Sequence, residues 1–200
     1  MIRDLILKSR SYRRFHQEVA VGESTLRELV DLARLSPSAA NKQPLKYVLS
    51  HEGEKNAKIF PHLAWAGYLK DWPGPEEGER PSAYIIILLD TRISKKVDCD
   101  HGIAAQSIML GAVEKGFGGT IISSVKREEL SKLLGLPDYL EILLVLAIGK
   151  PKEEVVIEES GELGPDGDIK YWRDENQTHH IPKRPLDEVL FNDQLKSSSY

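Results

Sequence analysis

The sequence predicts a single compact domain of mixed α and β structure, in which buried strands alternate with helices. Three observations support this prediction. Residues 82–90 are nearly all apolar, which is typical of a strand buried on both faces. Residues 100–115 are apolar almost all round and rich in small side chains, so we expect a helix covered on most sides. The apolar residues between positions 25 and 36 recur at helical spacing on one face.

In the first half of the chain, the helix after residue 22 has the clearest boundaries. Thr25 and Glu28 fit a capping box, which predicts that the helix starts at Thr25. Pro37 disfavours a helical conformation in the residue before it, so the helix should end near Ser36. The other elements expected here are a short helix over 2–8, a strand over 46–50, scattered helical turns over 52–72 and an irregular loop over 71–78.

In the second half, glycines and prolines separate the predicted elements. Asp100 is interpreted as the N-cap of its helix. Three further elements are expected, namely a strand over 120–123, an amphipathic helix over 127–134 and a second fully buried strand over 141–148. After Pro151 we expect an acidic, glycine-rich loop over 158–168, a hairpin over 169–181 and a frayed tail over 196–200. The prediction is one domain over 1–200, with the hairpin and a C-terminal extension from about residue 152.

Composition and charge exclude several classes of protein. The 200 residues are 40% hydrophobic and 29% charged, which is ordinary for a globular chain, and the net charge of -4 argues against nucleic acid as the main partner. The longest apolar run, residues 83–89, is far below the about 20 residues of a membrane-spanning helix. Cys99 is alone and no apolar signal region opens the chain, so we expect a reduced, cytoplasmic protein.

A basic segment, residues 10–15, is the first candidate binding element. Arg10 and Arg13 carry planar forks of donors that suit a phosphate, and the Ser11 hydroxyl adds a directional donor. Arg184 could supply a second phosphate contact if the fold brings the two ends of the chain together. The alternative interpretation is a solvated basic face.

A loop rich in small residues and amides, residues 36–44, is the second candidate. We call it the amide loop. Its two prolines bracket small side chains and make a stiff wall that a flat ring can approach closely. Asn41 and Gln43 could then hydrogen-bond the polar edge of such a ring. The alternative is a loop that merely ends a helix, since Ser, Pro, Asn and Gln all favour turns.

Other chemistries have weaker support in the sequence. Asp98, Cys99, Asp100 and His101 could ligate a metal together with the pair at 179–180, which would suit a metal-dependent hydrolase. However, the adjacent side chains diverge on a helix and no paired ligand motif occurs, so the two histidines are interpreted as hairpin surface. The glycines at 116–119 follow a helix and precede a strand, the reverse of the dinucleotide-binding order. No nucleophile elbow and no P-loop is present.

The two candidate segments together resemble the flavin-dependent nitroreductase family. The basic segment matches the family's Arg-x-Ser-x-Arg-x-Phe pattern in a shifted form, and the amide loop matches the more specific Ser-Pro-Ser-x-x-Asn-x-Gln-Pro pattern. The resemblance extends over nearly the whole chain through four further segments, which are residues 83–89, the helix from Asp100 with Gln106, residues 116–124 and residues 149–151. Three positions depart from the family pattern: Ala39 replaces a serine, Ile121 a tryptophan, and Lys183 adjoins Arg184 directly.

This resemblance implies an α+β sandwich with a central antiparallel or mixed sheet flanked by helices, assembled as an intertwined homodimer. One FMN is expected at each end of the subunit interface. Arg10, Ser11 and Arg184 would hold its phosphate, and Arg13 would face the pyrimidine edge of its ring. The residues expected from the partner subunit are Pro37, Ser38, Ala39, Asn41 and Gln43. The residues expected along the ring are Ile121, Ile122 and Ser123.

The resemblance further implies an oxidoreductase that passes a hydride from NADH or NADPH through FMN to a small-molecule acceptor, such as a nitroaromatic or a quinone. The flavin carries the chemistry, so no side chain is assigned as acid, base or nucleophile. A non-catalytic flavin-binding store or sensor is the alternative. No nucleic acid, membrane or metal is expected as a partner.

Overall fold

The computed structural model describes residues 1–69, 72–158 and 169–191. The chain divides into two compact units, Met1–Glu153 and Glu154–Tyr200. The sequence-based expectation of one domain with an extension from about residue 152 stays a prediction. Within the described ranges, no helix has the length and apolar character needed to cross a membrane.

The first unit is built on a five-stranded antiparallel sheet with the order β1-β5-β3-β2, in which β4 also pairs with β5. Its strands are β1 (Phe15–His16), β2 (Leu45–Ser50), β3 (Ala83–Asp90), β4 (Gly118–Ile122) and β5 (Leu140–Pro151). Its α-helices are α1 (Ile2–Lys8), α2 (Glu23–Leu35), α3 (Gly53–Ile59), α4 (Asp100–Glu114) and α5 (Arg127–Leu134). Single turns of 3₁₀-helix lie at Ala39–Asn41 and Phe60–His62.

Strand β3 is the centre of this unit, because all eight of its residues are buried. Successive side chains on a strand point to opposite faces. Ile85 and Ile87 therefore pack in one apolar cluster with residues of α2 and α4. Tyr84 and Ile86 pack in a second cluster on the other face, with residues of α3 and α5. The result is the α+β arrangement of an antiparallel sheet flanked by helices.

The structure corrects two expected helix starts. Helix α2 begins at Glu23 with Gly22 as its N-cap, so the capping box predicted at Thr25 is wrong. Because the backbone of Gly22 is extended, the helix starts directly after it, and Thr25 lies inside the first turn. The end at Leu35, before Ser36, is confirmed. Helix α4 has Cys99 as its N-cap, so the N-cap role assigned to Asp100 is also wrong.

The second unit contains a three-stranded sheet made of β6 (Val155–Glu158), β7 (Trp172–Arg173) and β8 (His179–Pro182). A short helix, α6 (Leu186–Val189), follows. The antiparallel pair β7–β8 confirms the predicted hairpin, whereas the parallel strand β6 was not predicted. His179 is completely buried, so its assignment to the hairpin surface is wrong. The acidic loop at 159–168 and the tail at 196–200 lie outside the described residues.

Strand β5 differs from its prediction in length and in burial. It runs beyond the expected 141–148 at both ends, and its first residues are only partly buried. The added length lets one strand pair with three others, since β1 bonds to Lys150 and Pro151 while β3 and β4 bond to the residues before them.

Candidate functional site

The basic segment lies against the start of strand β4. Ser11 forms a parallel bridge with Gly119, and the Tyr12 N–H donates to the Gly119 carbonyl at 3.0 Å. Glycine at position 119 permits the pairing of β4 with β5, because a Cβ there would lie 2.1 Å from the carbonyl oxygen of Ala147. The backbone of β4 therefore fixes the position of the segment that carries Arg10, Ser11 and Arg13.

Arg10 is half-buried and incompletely bonded. One of its terminal nitrogens, Nη2, donates to the Ile6 carbonyl at 2.5 Å. Its Nε is buried and has no hydrogen-bond partner among the described residues. Burial lowers the pKa of Arg10, although an arginine stays charged at all pH values relevant here. A buried cationic donor without a partner is stabilised when an anion supplies one.

The other two arginines of the segment are held differently. The Nη1 of Arg13 donates to the Ser11 carbonyl at 3.1 Å, and its backbone N–H donates to the buried carboxylate of Glu153. Arg14 makes a two-pronged pair with Glu79, at 2.5 and 2.7 Å, and Lys152 adds a contact to Glu79 at 2.9 Å. The hydrogen bond from Arg14 is the main reason that the pKa of Glu79 falls to about 2. Arg14 is therefore a structural arginine.

The amide loop has a strained backbone. Ala40, Asn41 and Gln43 have φ angles of 50°, 53° and 51°, in the left-handed region. This region costs an ordinary residue about 1–2 kcal/mol, although asparagine tolerates it better. Pro37, Ala39, Asn41 and Gln43 are all exposed. The loop thus presents the predicted residues to solvent in a conformation that the surrounding contacts must maintain.

Asp100 supplies those contacts from the first turn of α4. The residue is 5% exposed, and its carboxylate accepts from the Ser38 hydroxyl at 2.6 Å and from the Ala39 N–H at 3.0 Å. The Ser38 oxygen accepts in turn from the Gln43 N–H at 2.9 Å, and the Gln43 amide donates to the Asn41 side-chain oxygen at 3.1 Å. Sequence reasoning missed this role, because an acidic residue at the start of a helix has a local explanation and the loop is about sixty positions away.

The end of β4 places the remaining predicted residues of the first unit. Ile121 is 43% exposed, Ile122 is buried and Ser123 is exposed. The Ser123 carbonyl accepts from Arg127 at 2.9 Å, so α5 holds the end of the strand. Because Ser11 bridges to Gly119 in the same strand, the basic segment lies close to residues 121–123 along β4.

The amide loop lies at the far end of the sheet from the basic segment. The Asp90 N–H donates to the Pro44 carbonyl at 2.8 Å, which fixes the loop at the last residue of β3. Gly119 pairs with Ile148, which pairs with Ala83, the first residue of β3. Eight extended residues separate the two points by about 24 Å. Within one chain, the two candidate segments therefore do not meet.

The predicted phosphate ligand Arg184 is part of neither candidate segment. Arg184 belongs to the second unit, where it is exposed and forms an ion pair with Glu188. Its phosphate-binding role stays a prediction.

Across residues 1–69, 72–158 and 169–191, no group of three or more His, Cys, Asp or Glu side chains could hold a metal ion.

Comparisons with known proteins agree with the fold. The model of the nitroreductase family matches residues 6–150. A protein of Archaeoglobus fulgidus, named by inference as an NADH dehydrogenase/NAD(P)H nitroreductase, is 26% identical over 70% of this chain and 80% of its own. The 5,6-dimethylbenzimidazole synthase of Rhodospirillum rubrum is 26% identical over 78% of this chain and 84% of its own. The crystal structure of a Streptococcus pneumoniae nitroreductase family protein superimposes with a TM-score of 0.70, at 17% identity, over 96% of this chain and 100% of that one.

Proposed function

Because the chain belongs to the nitroreductase family and is therefore an oxidoreductase, we propose that it binds FMN and passes electrons from NADH or NADPH to a small-molecule acceptor. Nitroaromatics and quinones are the acceptors to test first. The observation that carries the proposal is the buried Nε of Arg10, which has no partner among the described residues and lies next to the exposed hydroxyl-bearing Ser11. This donor set fits the phosphate of FMN.

The proposed site is shared between two chains of a homodimer. Arg10, Ser11 and Arg13 of one chain would face residues 36–44 of its partner. The separation of about 24 Å along β3 supports this arrangement, because one chain by itself presents only half of the predicted contacts. Arg184 would add to the phosphate contacts.

Each predicted residue has a physical role in this proposal. Arg13 would place a positive charge at the pyrimidine edge of the ring, where negative charge develops on reduction. Asn41 and Gln43 would hydrogen-bond the polar ring edge of the partner's flavin, and Pro37, Ser38 and Ala39 would leave room for close approach. Ile121 offers an exposed apolar surface to the ring. When bound, FMN supplies the redox chemistry by accepting a hydride from the nicotinamide and passing electrons to the acceptor.

Anaerobic reduction of the flavin-loaded protein tests this function. We expect the purified protein to bind FMN, its yellow colour to bleach on addition of NADH or NADPH, and a nitroaromatic or quinone to restore it. A protein that acquires no flavin spectrum when FMN is added contradicts the proposal. A protein that binds FMN but responds to neither nicotinamide nor acceptor is a flavin store or sensor instead. The expected cytoplasmic location stays a prediction.

The range of acceptors needs a broad screen. The relative from Rhodospirillum rubrum is named for a synthase reaction and not for nitroreduction. Reoxidation rates should therefore be compared across nitroaromatics, quinones and dioxygen, with each nicotinamide in turn. The acceptor that gives the highest kcat/KM identifies the substrate class.

A further inference from the structure

A buried carboxylate at the base of the amide loop points to a role that family membership does not assign. Asp100 begins helix α4 and is 5% exposed. Both of its oxygens accept hydrogen bonds from the loop, one from the Ser38 hydroxyl at 2.6 Å and the other from the Ala39 N–H at 3.0 Å. A buried charge normally needs such partners, and here the loop provides them.

Ser38 extends this contact to the far side of the loop. Its hydroxyl donates to Asp100 and its oxygen accepts from the Gln43 N–H at 2.9 Å. The anchored positions, Ala39 and Gln43, enclose Ala40 and Asn41, which have left-handed φ angles of 50° and 53°. The hydrogen bonds to Asp100 and Ser38 thus close a strained turn at both ends.

We propose that Asp100 is a positioning residue, which holds the amide loop so that Asn41 and Gln43 keep a fixed direction toward the flavin ring. This inference rests on the proposed function, in which those two amides contact the ring. Asp100 does not touch the cofactor in this role. It acts through Ser38 and through the backbone of Ala39.

A role limited to helix α4 is the competing explanation. An acidic side chain in the first turn stabilises a helix by interaction with its dipole, and this requires no contact with the loop. Ser38→Ala separates the two explanations, because it leaves the charge at the helix start unchanged and removes the link to Gln43. Asp100→Asn provides the other half of the test, since an amide offers only one acceptor oxygen where the carboxylate offers two.

Hydrogen exchange in the flavin-free protein is the first measurement. We expect the amides of Ala39 and Gln43 to exchange about 10-fold faster or more in Asp100→Asn. In Ser38→Ala, the Gln43 amide should show a similar increase while α4 keeps its protection. Asp98→Asn is the matched control, because Asp98 is an exposed carboxylate two positions before Asp100. In this variant, the amides of Ala39 and Gln43 should exchange as in the wild type. Unchanged exchange of Ala39 and Gln43 in Asp100→Asn overturns the proposal.

Flavin binding is the second measurement. FMN titration followed by quenching of flavin fluorescence should give a Kd about 10-fold higher for Asp100→Asn than for the wild type and Asp98→Asn. At saturating FMN, the absorption spectrum of Asp100→Asn should lie closer to that of free flavin. Equal Kd values and identical bound spectra in the wild type and Asp100→Asn contradict the positioning role. Failure of the wild type itself to bind FMN contradicts the proposed function instead.

Discussion

At the scale of single residues, Ala40 is the clearest case of backbone strain. Its φ of 50° disfavours alanine and suits glycine. We therefore predict that Ala40→Gly leaves the free energy of unfolding unchanged or raises it by up to about 1 kcal/mol, even though glycine gains entropy in the unfolded chain. Urea denaturation followed by circular dichroism measures the change.

The neighbouring alanine provides a control for this prediction. Ala39 has no positive φ, so Ala39→Gly gains nothing in the folded state and should lower the free energy of unfolding by about 0.5–1 kcal/mol. If both glycine variants destabilise the protein equally, the left-handed conformation of Ala40 is not a source of strain in solution.

A second prediction at this scale concerns Glu79 and the change of the free energy of unfolding with pH. Arg14 and Lys152 hold the pKa of Glu79 down to about 2, against an ordinary value of 4.5. A lowered carboxyl pKa stabilises the folded state above the unfolded-state pKa, and this contribution disappears as the pH falls toward the folded-state value. Glu79→Gln should therefore lower the free energy of unfolding by about 2 kcal/mol at pH 7. The difference from the wild type should shrink between about pH 4.5 and pH 2.

Urea titrations at a series of pH values test this expectation. Glu114→Gln is a suitable control, because Glu114 is exposed on α4 and its variant should follow the wild type at every pH. A stability difference between Glu79→Gln and the wild type that stays constant from pH 7 to pH 2 contradicts the assignment.

At the scale of elements, the pairing of β4 with β5 depends on Gly119. A Cβ there would lie 2.1 Å from a carbonyl oxygen of β5, and backbone cannot move aside as a flexible side chain can. We predict that Gly119→Ala lowers the free energy of unfolding by at least about 2 kcal/mol. Because Ser11 bridges to the same residue, FMN binding should weaken as well.

A glycine with free space around it is the control for Gly119. A Cβ at Gly102 in α4 would meet no atom within 4 Å, and alanine favours a helix by up to about 1 kcal/mol over glycine. Gly102→Ala should therefore be neutral or stabilising when both alanine variants are unfolded in urea. Equal losses in the two alanine variants would show that crowding at β4 is not the cause.

The elements also show what sequence patterns can and cannot predict. Strand β3 was predictable because every residue is buried, which leaves a continuous apolar run. The β6 strand was missed because its four residues follow acidic positions and are only partly buried. Asp100 was misassigned for a different reason, since local patterns do not indicate a partner such as Ser38 that is distant in sequence. The motifs of the two candidate segments can be recognised in the sequence, whereas the distance between the segments can be found only from the three-dimensional fold.

At the scale of the whole molecule, the shared site predicts complementation between two defective chains. One chain would carry Arg10→Ala with Arg13→Ala, and the other Asn41→Ala with Gln43→Ala. We expect each homodimer to bind FMN weakly. Co-expression should restore about one quarter of the wild-type sites, because half of the dimers are mixed and each mixed dimer has one intact site. Flavin content per protein, measured by absorbance after purification, is the readout.

The mixed preparation also distinguishes a site that is shared between two chains from a site that one chain forms alone. If all the ligands came from one chain, each chain in a mixed dimer would keep its own defect and no site would be restored. Sedimentation of the three preparations confirms that they contain the same oligomer, so that a lack of complementation cannot be attributed to dissociated chains.

Because about 24 Å separates the two segments within one chain, FMN binding should depend on protein concentration. When a ligand needs both chains, its binding energy also contributes to their association, and dilution weakens both processes together. FMN should then lower the subunit dissociation constant, and the apparent FMN affinity should fall as the protein is diluted below it. Bound flavin would then stabilise the dimer as well as carry electrons.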